Sequence, residues 1–411
     1  MKRTGFFWRM SCGSPRMRRF LFSLLFALPN FAGCYLAHDI DGVPFDPAVS
    51  LPPAPADSIA PGTCRVEAHG RFVVPGAEDV SSLQITAVGS GFFGLYERRG
   101  PLDASEHPNF AVAGMLRGDV VGMAREREIG DYSLGLLQHP TLERGDDGRL
   151  AVCVDAISAR FAGTRPGAVA FLTPDGALER MVPVARDCAD VAFVAGRWVV
   201  LEVDASAFGS DAQLSIFDAT LAVTASVPLG RSDVLRLADR VVAFGDHALV
   251  LMAREEDDAT LVLVDLDSEE VLMTQTIDVD PSNYDLAVYG DEAHVFAATM
   301  EGGLEWRSYD ANLERTFGPT PVLDYEVVRA LTLLPDGIAM IADHTFDAGD
   351  LLLLDPSSHE VFSVDVPPPA EVTSAPTSWF DVGANRDYVL VSSWSIGPTI
   401  PWTWGARCKI Q

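Results

Sequence analysis

An apolar run that ends in aspartate and a short polar turn returns four times along this chain, and its spacing limits the folds open to it. The copies are Leu214-Ser215-Ile216-Phe217-Asp218, Leu261-Val262-Leu263-Val264-Asp265, Trp306-Arg307-Ser308-Tyr309-Asp310 and Leu351-Leu352-Leu353-Leu354-Asp355. Their aspartates lie 47, 45 and 45 residues apart, the length of one four-stranded sheet when such sheets are set radially as the blades of a β-propeller. Hairpins of short apolar runs fall between the copies, at Val194 to Leu201, Arg240 to Met252, Val288 to Ala297, Leu333 to Ile341 and Phe380 to Val391. Gly196, Gly245-Asp246, Gly290-Asp291, Asp336-Gly337 and Asn385 sit at their tips, residues that suit tight turns. Each strand is expected to be half buried. No window sustains a capped helical period, so an all-β chain is expected.

Counting hairpins gives seven units, near residues 80–127, 133–186, 188–230, 233–280, 284–324, 326–367 and 377–411. The first two are longer and less regular, which leaves six or eight blades open. The last unit lacks a fourth strand after Cys408, and Cys64 to Val74 is expected to supply it. Closing the ring in this way removes the exposed sheet edges that template aggregation. The propeller domain is therefore placed at 64–411.

Ahead of it, Met17-Arg18-Arg19 leads into the apolar stretch Phe20 to Leu28 and the small residues Ala32 and Gly33. A basic start, a short apolar core and a small-residue site make a secretory signal over 1–33, too short to span a bilayer. Met1, Met10 and Met17 are alternative starts. The residues before Cys34 resemble the lipobox of bacterial lipoproteins, with Phe31 where Leu is usual, and the resemblance implies that Cys34 carries the lipid. Tyr35 is not the aspartate that holds such proteins at the inner membrane, so the resemblance points to the outer membrane or cell surface. Six prolines between His38 and Thr63 make 34–63 a stiffened tether.

The chain has 58 acidic against 30 basic residues, a net charge of −28, and loss of 1–33 removes only basic ones. Such a balance keeps a secreted protein soluble, repels nucleic acid and favours cations or basic partners. Outside the leader and anchor remain Cys64, Cys153, Cys188 and Cys408, whose spacing fits no zinc motif. Four cysteines in an exported chain suggest two disulfides, with three pairings possible. Because Cys64 opens the ring and Cys408 nearly ends it, Cys64 with Cys408 and Cys153 with Cys188 is the pairing expected.

The hairpin Leu351-Leu352-Leu353-Leu354-Asp355-Pro356-Ser357-Ser358-His359-Glu360-Val361 resembles the blade hairpin of quinoprotein-like and YVTN-type propellers, and Leu261 to Ile277 is similar. The likeness covers about five of seven blades and implies architecture, since one fold hosts many functions. The tryptophan-docking signature of quinone dehydrogenases, Trp-Asp dipeptides and the sialidase box are all missing from the sequence.

The loops joining second to third strands, with the blade connections, share one face. There the sequence collects Asp204, Asp211, Glu255, Glu256, Asp257, Asp258, Glu301, Asp343, Asp347 and Asp350, joined by Asp278, Asp280, Asp285, Asp324 and Glu326. Hard divalent cations such as calcium favour convergent oxygens, but none of these follows a calcium-loop spacing, and solvated loops are the simpler use. The densest cluster, Asp343, His344, Asp347 and Asp350, has the donor chemistry for a divalent ion that activates water. His247 and His294 are read as equivalent positions of adjacent blades. Trp379, Trp394, Trp402 and Trp404 concentrate in the closing blade, to fill it or to line a pocket for sugar or peptide. No nucleophile elbow, zinc-protease helix or phosphate loop is present. The sequence thus favours a membrane-anchored binding or scaffold module for protein or glycan partners, without cofactor. The alternative is a metal-assisted hydrolase or lactonase with an acidic central funnel, which three or more carboxylates in the channel would favour.

Overall fold

The computed structural model describes residues 59–411 except 72–78, 89–90, 100–108, 116–125, 131–141, 155–166, 175, 204–209, 233–238, 256–257, 280–282, 300, 344–348, 365–377, 386–387 and 396–401. The signal segment, Cys34 and most of the tether lie outside the described residues. Every described element is a strand, and the strands form seven four-stranded antiparallel sheets. In chain order, blade 1 is Asp79–Val88, Gly91–Arg99, Asn109–Met115 and Glu126–Gly130, and blade 2 is Leu142–Arg144, Leu150–Val154, Ala168–Leu172 and Leu178–Pro183. Blade 3 is Asp187–Val194, Arg197–Val203, Ser210–Phe217 and Val223–Ser232, and blade 4 is Arg240–Phe244, His247–Glu255, Asp258–Asp265 and Glu270–Asp278. Blade 5 is Tyr284–Tyr289, Glu292–Ala298, Leu304–Tyr309 and Arg315–Pro321, and blade 6 is Val327–Leu334, Gly337–Asp343, Asp350–Asp355 and Glu360–Val364. Blade 7 takes Ser378–Asn385, Tyr388–Ser395 and Trp402–Lys409 from the end of the chain and Thr63–Arg71 from its beginning. The fold is a seven-bladed β-propeller, with boundaries close to those expected.

The expectation of half-buried strands fails for middle strands such as Asp258–Asp265, Gly337–Asp343 and Asp350–Asp355, which are buried almost throughout. In blade 4, Leu249, Leu251, Leu261 and Leu263 pack toward Leu286, Val295 and Ala297 of blade 5, while Val250, Val262 and Val264 pack toward Val199, Leu201 and Leu214 of blade 3. Alternate side chains therefore enter opposite blade interfaces, and both faces are dry. This is why Leu351 to Leu354 is a continuous apolar run: Leu351 and Leu353 face blade 7, Leu352 and Leu354 blade 5. Each such leucine contributes roughly 1.5–3 kcal/mol by leaving water. The fourth strands, at the rim, are largely exposed, as in Glu270–Asp278.

The repeating aspartates cap the turn between third and fourth strands. Asp218 Oδ1 accepts from the Thr220 and Ala222 amides at 2.8 and 3.0 Å, and Asp310 Oδ1 from those of Asn312 and Glu314, both at 2.9 Å. Asp265 and Asp355 accept from the amides two residues on, those of Asp267 and Ser357, at 2.8 Å. Thr173 takes the same role in blade 2 through its hydroxyl, which accepts from the Ala177 amide at 3.1 Å. These turns contain left-handed residues, Leu221, Glu269, Leu313 and His359, with φ of 55–62°. The side-chain cap offsets the strain of that backbone.

The ring closes where Cys64 pairs in register with Cys408, and a disulfide joins the two. Arg407 Nε donates to Glu67 at 2.9 Å across the same seam, and the Ile410 amide donates to Asp336 of blade 6 at 2.9 Å. A second disulfide, Cys153–Cys188, ties blade 2 to blade 3. The bonds span 344 and 35 residues, and loop-closure entropy gives the longer one about 2 kcal/mol more effect on the unfolded chain. Replacing Cys64 and Cys408 by alanine is accordingly expected to lower unfolding free energy by about 2 kcal/mol more than replacing Cys153 and Cys188. Urea unfolding of both variants checks this; equal losses would defeat the entropic account of the closure.

Candidate functional site

The first strand of every blade faces the centre, where the seven surround a cavity of about 460 Å³. Its wall changes character along the axis. Where the inner strands begin, Gln84, Glu143, Asp190, Arg240, Asp285 and Asp381 form a charged tier; toward their far ends Ala87, Ala192, Val242, Val288, Leu333 and Ala384 form an apolar sleeve. The topology sets the charged tier at the face that carries the second-to-third strand loops, the face expected from the sequence to be acidic.

Three of the four carboxyls in the tier staple neighbouring blades. Asp190 accepts from the Val191 amide of its own strand and from the Val241 amide of blade 4, each at 2.8 Å. Asp381 of blade 7 accepts from the Ile85 amide of blade 1 at 2.5 Å. Asp285 of blade 5 accepts from its neighbour Leu286 at 2.9 Å and pairs with Arg240 Nε of blade 4 at 2.8 Å. Asn283 links blade 5 to blade 6 in the same style, exchanging two hydrogen bonds with the Val328 backbone at 2.9 and 3.0 Å. Inner strands have no sheet partner on their channel edge, and these side chains satisfy amides that would otherwise be buried unpaired.

Glu143 and Gln84 have no such task. Glu143 keeps some accessible surface because it faces the cavity, yet protein surrounds it on the other sides. Loss of water, then repulsion from Asp190, raises its pKa to about 8. Burial also raises Asp381 to about 7, against the opposing effects of the Ile85 and Val382 amides and Arg240. Burial disfavours the Arg240 charge, but Asp285, Asp190 and Asp381 outweigh that and hold the guanidinium protonated. Two atoms of the tier lack a partner among the described residues: Gln84 Oε1 and Arg240 Nη1, on side chains 4% and 8% exposed.

The residues singled out in the sequence fall elsewhere or only partly here. Asp285, assigned to a connection on the acidic rim, is a buried member of an inner strand instead; its apolar neighbours Leu286 to Val288 extend the strand to include it. Asp211, Asp278, Glu301 and Asp324 are exposed and Asp258 and Glu326 half-buried. Asp204, Glu256, Asp257 and Asp280 lie outside the described residues, as does the side chain of Glu255. Of the proposed metal cluster, Asp343 is buried against Arg329 Nε at 2.5 Å and Asp350 accepts from Tyr325 Oη at 2.9 Å, while His344 and Asp347 lie outside the described residues. Among the described residues no three His, Cys, Asp or Glu are grouped to hold a metal ion.

His247 and His294 are not equivalent positions. His247 pairs with Phe244 at the hairpin tip, the place that Glu292 holds in blade 5, and His294 lies two residues farther in. An equal interval hid a difference in strand length. His294 is fully buried, its Nδ1 2.8 Å from Ser308 Oγ and 3.3 Å from Trp306 Nε1, and burial lowers its pKa to about 4. Trp404 is core between blades 6 and 7; the side chains of Trp379, Trp394 and Trp402 lie outside the described residues. The sequence reading missed Gln84, Glu143, Asp190, Arg240 and Asp381. Their signal is a polar residue just before an apolar inner-strand run, as in Asp190-Val191, Arg240-Val241, Asp285-Leu286 and Asp381-Val382.

No model of a known protein family and no curated protein matches the chain. Solved structures do. The β-propeller domain of the Trilobed protease from Pyrococcus furiosus, which has an open velcro topology, is 9% identical with a TM-score of 0.52, over 80% of this chain and 94% of that one. The Dos1 propeller is 8% identical with a TM-score of 0.50, over 85% and 96%. Acylaminoacyl peptidase from Pyrococcus horikoshii, 10% identical with a TM-score of 0.51, matches over 81% of this chain, which spans only 52% of that one. At such identities the likeness shows the propeller fold alone. The seam differs from an open velcro, because Thr63–Arg71 pairs with Trp402–Lys409 to complete blade 7.

Glu143 and Asp381 hold protons in the folded state that they lose when unfolded, so they stabilise the fold fully below their unfolded values, 4.5 and 3.8, and cease to as pH rises through about 8 and about 7. The melting temperature is therefore expected to fall between pH 4.5 and 8. Glu143→Gln, which mimics the protonated acid, should flatten that decline. Thermal melts across this range check it, and an equally steep decline in the variant would count against the assigned proton.

Proposed function

We propose that this protein is an extracytoplasmic binding module that takes its ligand in the central channel of the propeller. The two disulfides belong to an oxidising compartment. In this reading a lipid on Cys34 fixes the molecule to the outer membrane or cell surface, and the proline-rich stretch holds the propeller off it. The hairpin likeness to quinoprotein-like and YVTN-type propellers supports the same architecture.

The observation that carries the reading is a pair of buried, unpartnered atoms, Gln84 Oε1 and Arg240 Nη1, on two side chains that line one cavity. An unpaired buried polar group costs about 1–3 kcal/mol. Retaining two in a cavity of ligand size is accounted for when water or a ligand answers them. A protein or glycan partner engages the module by placing a side chain or chain end in the channel mouth.

Four channel carboxyls meet the number set for the alternative, a metal-assisted hydrolase or lactonase. Three of them are occupied as staples between blades, which leaves Glu143 as the acid free for proton transfer. That is why binding is preferred.

Ala243 lines the cavity and is exposed at its apolar end, so Ala243→Trp is a plug that spares the core. A fragment panel read by thermal shift is expected to give stabilising hits on the native protein that the plug abolishes. Hits indifferent to the plug would sink the channel reading. For the alternative, elemental analysis and a lactone hydrolysis assay decide: stoichiometric metal, with turnover lost by at least about tenfold in Glu143→Gln, would replace binding by hydrolysis.

A further inference from the structure

We infer that the channel is built for a primary ammonium group carried on an apolar stem, an inference that rests on the channel-binding reading and names its ligand class. The argument starts from the imbalance of the charged tier. Glu143 projects from blade 2, Asp190 from blade 3, Asp285 from blade 5 and Asp381 from blade 7, and among the described residues the only basic side chain lining the cavity is Arg240 of blade 4. Blade 1 contributes the neutral Gln84, and blade 6 lines the cavity with Ala330 to Leu333, without a charged group. Arg240 is committed to Asp285 at 2.8 Å. Glu143 and Asp381 therefore have no cation bonded to them among the described residues.

Gln84 supplies the independent observation. Its side chain is 4% exposed, and its Oε1 is an acceptor with no donor among the described residues. A site with surplus carboxyls and an unanswered amide oxygen is short of N–H donors and of positive charge together. An ammonium group supplies both, with three donors on one charged atom. The one unmatched donor, Arg240 Nη1, is left to water or to an oxygen of the ligand.

The apolar sleeve sets the rest of the ligand. Apart from the hydroxyls of Thr86 and Thr332, the wall beyond the charged tier offers no hydrogen-bonding side chains to a polar stem. An alkyl or aryl stem on the ammonium leaves water there as the head reaches the acids. The protons now on Glu143 and Asp381 are the other side of the same balance: without a cation the carboxyls hold protons, and an entering cation displaces them. Binding is thus expected to release protons near neutral pH and to strengthen as pH rises toward 8.

Isothermal titration with n-hexylamine, n-hexanol and n-hexanoate, each in phosphate and in HEPES near pH 7, tests this directly. The amine is expected to bind about tenfold or more tightly than either analogue. Its heat should differ between the buffers in the sense of proton release. Glu143→Gln should lose that affinity and that release; Asp381→Asn, its fold checked by its melting curve, should lose them in part. Equal binding of hexanol, or preference for hexanoate, abolished by Ala243→Trp, would overturn the ammonium and leave the channel as the binding site. Absence of amine binding to the native protein would overturn the ammonium whatever the plug does.

Discussion

Face-to-face packing between blades is the constraint from which the rest of this molecule follows. A four-stranded sheet with apolar residues on both faces leaves them in water when alone, and becomes stable when neighbouring blades cover them. Alternate residues of one strand serve two interfaces, so Leu249 belongs with blade 5 and Val250 with blade 3. A chain built this way needs a neighbour for every blade. The ring must close, and the pairing of Thr63–Arg71 with Trp402–Lys409 is the consequence.

Closure concentrates a second problem at the centre. The seven inner strands turn their free edges to a narrow channel, where unpaired amides cannot be left. Asp190, Asp285, Asp381 and Asn283 meet that need by accepting from amides of their own or the adjacent blade. Drawing several acids into one enclosed tier raises the energy of their charges, and Arg240 compensates for only part of it. The tier's chemistry is thus partly a by-product of holding the wheel together. What exceeds that need, Glu143, Gln84 Oε1 and Arg240 Nη1, is where recognition is sought.

The periphery follows a different rule. The aspartates that repeat near 45-residue intervals never approach the channel; each lies at a third-to-fourth strand turn and caps a left-handed residue. Their regularity reflects the geometry of one turn repeated around the ring. The polar residues of the channel have no such regularity, since each inner strand meets the axis with its own side chain, acid in some blades, arginine or glutamine in others.

The amino-acid sequence by itself determined the repeating unit, its length, the seven blades and the cysteines that join, because hairpin turns and apolar runs are local and the two ends of a ring must meet. Which polar residues converge was decided only by the tertiary structure. Asp190 and Asp381 are 191 positions apart in the chain, and their one local sign, a place just before an apolar inner-strand run, does not say that the two converge. Closing the wheel sets them around one small cavity, and the loss of water there turns ordinary acids into a site.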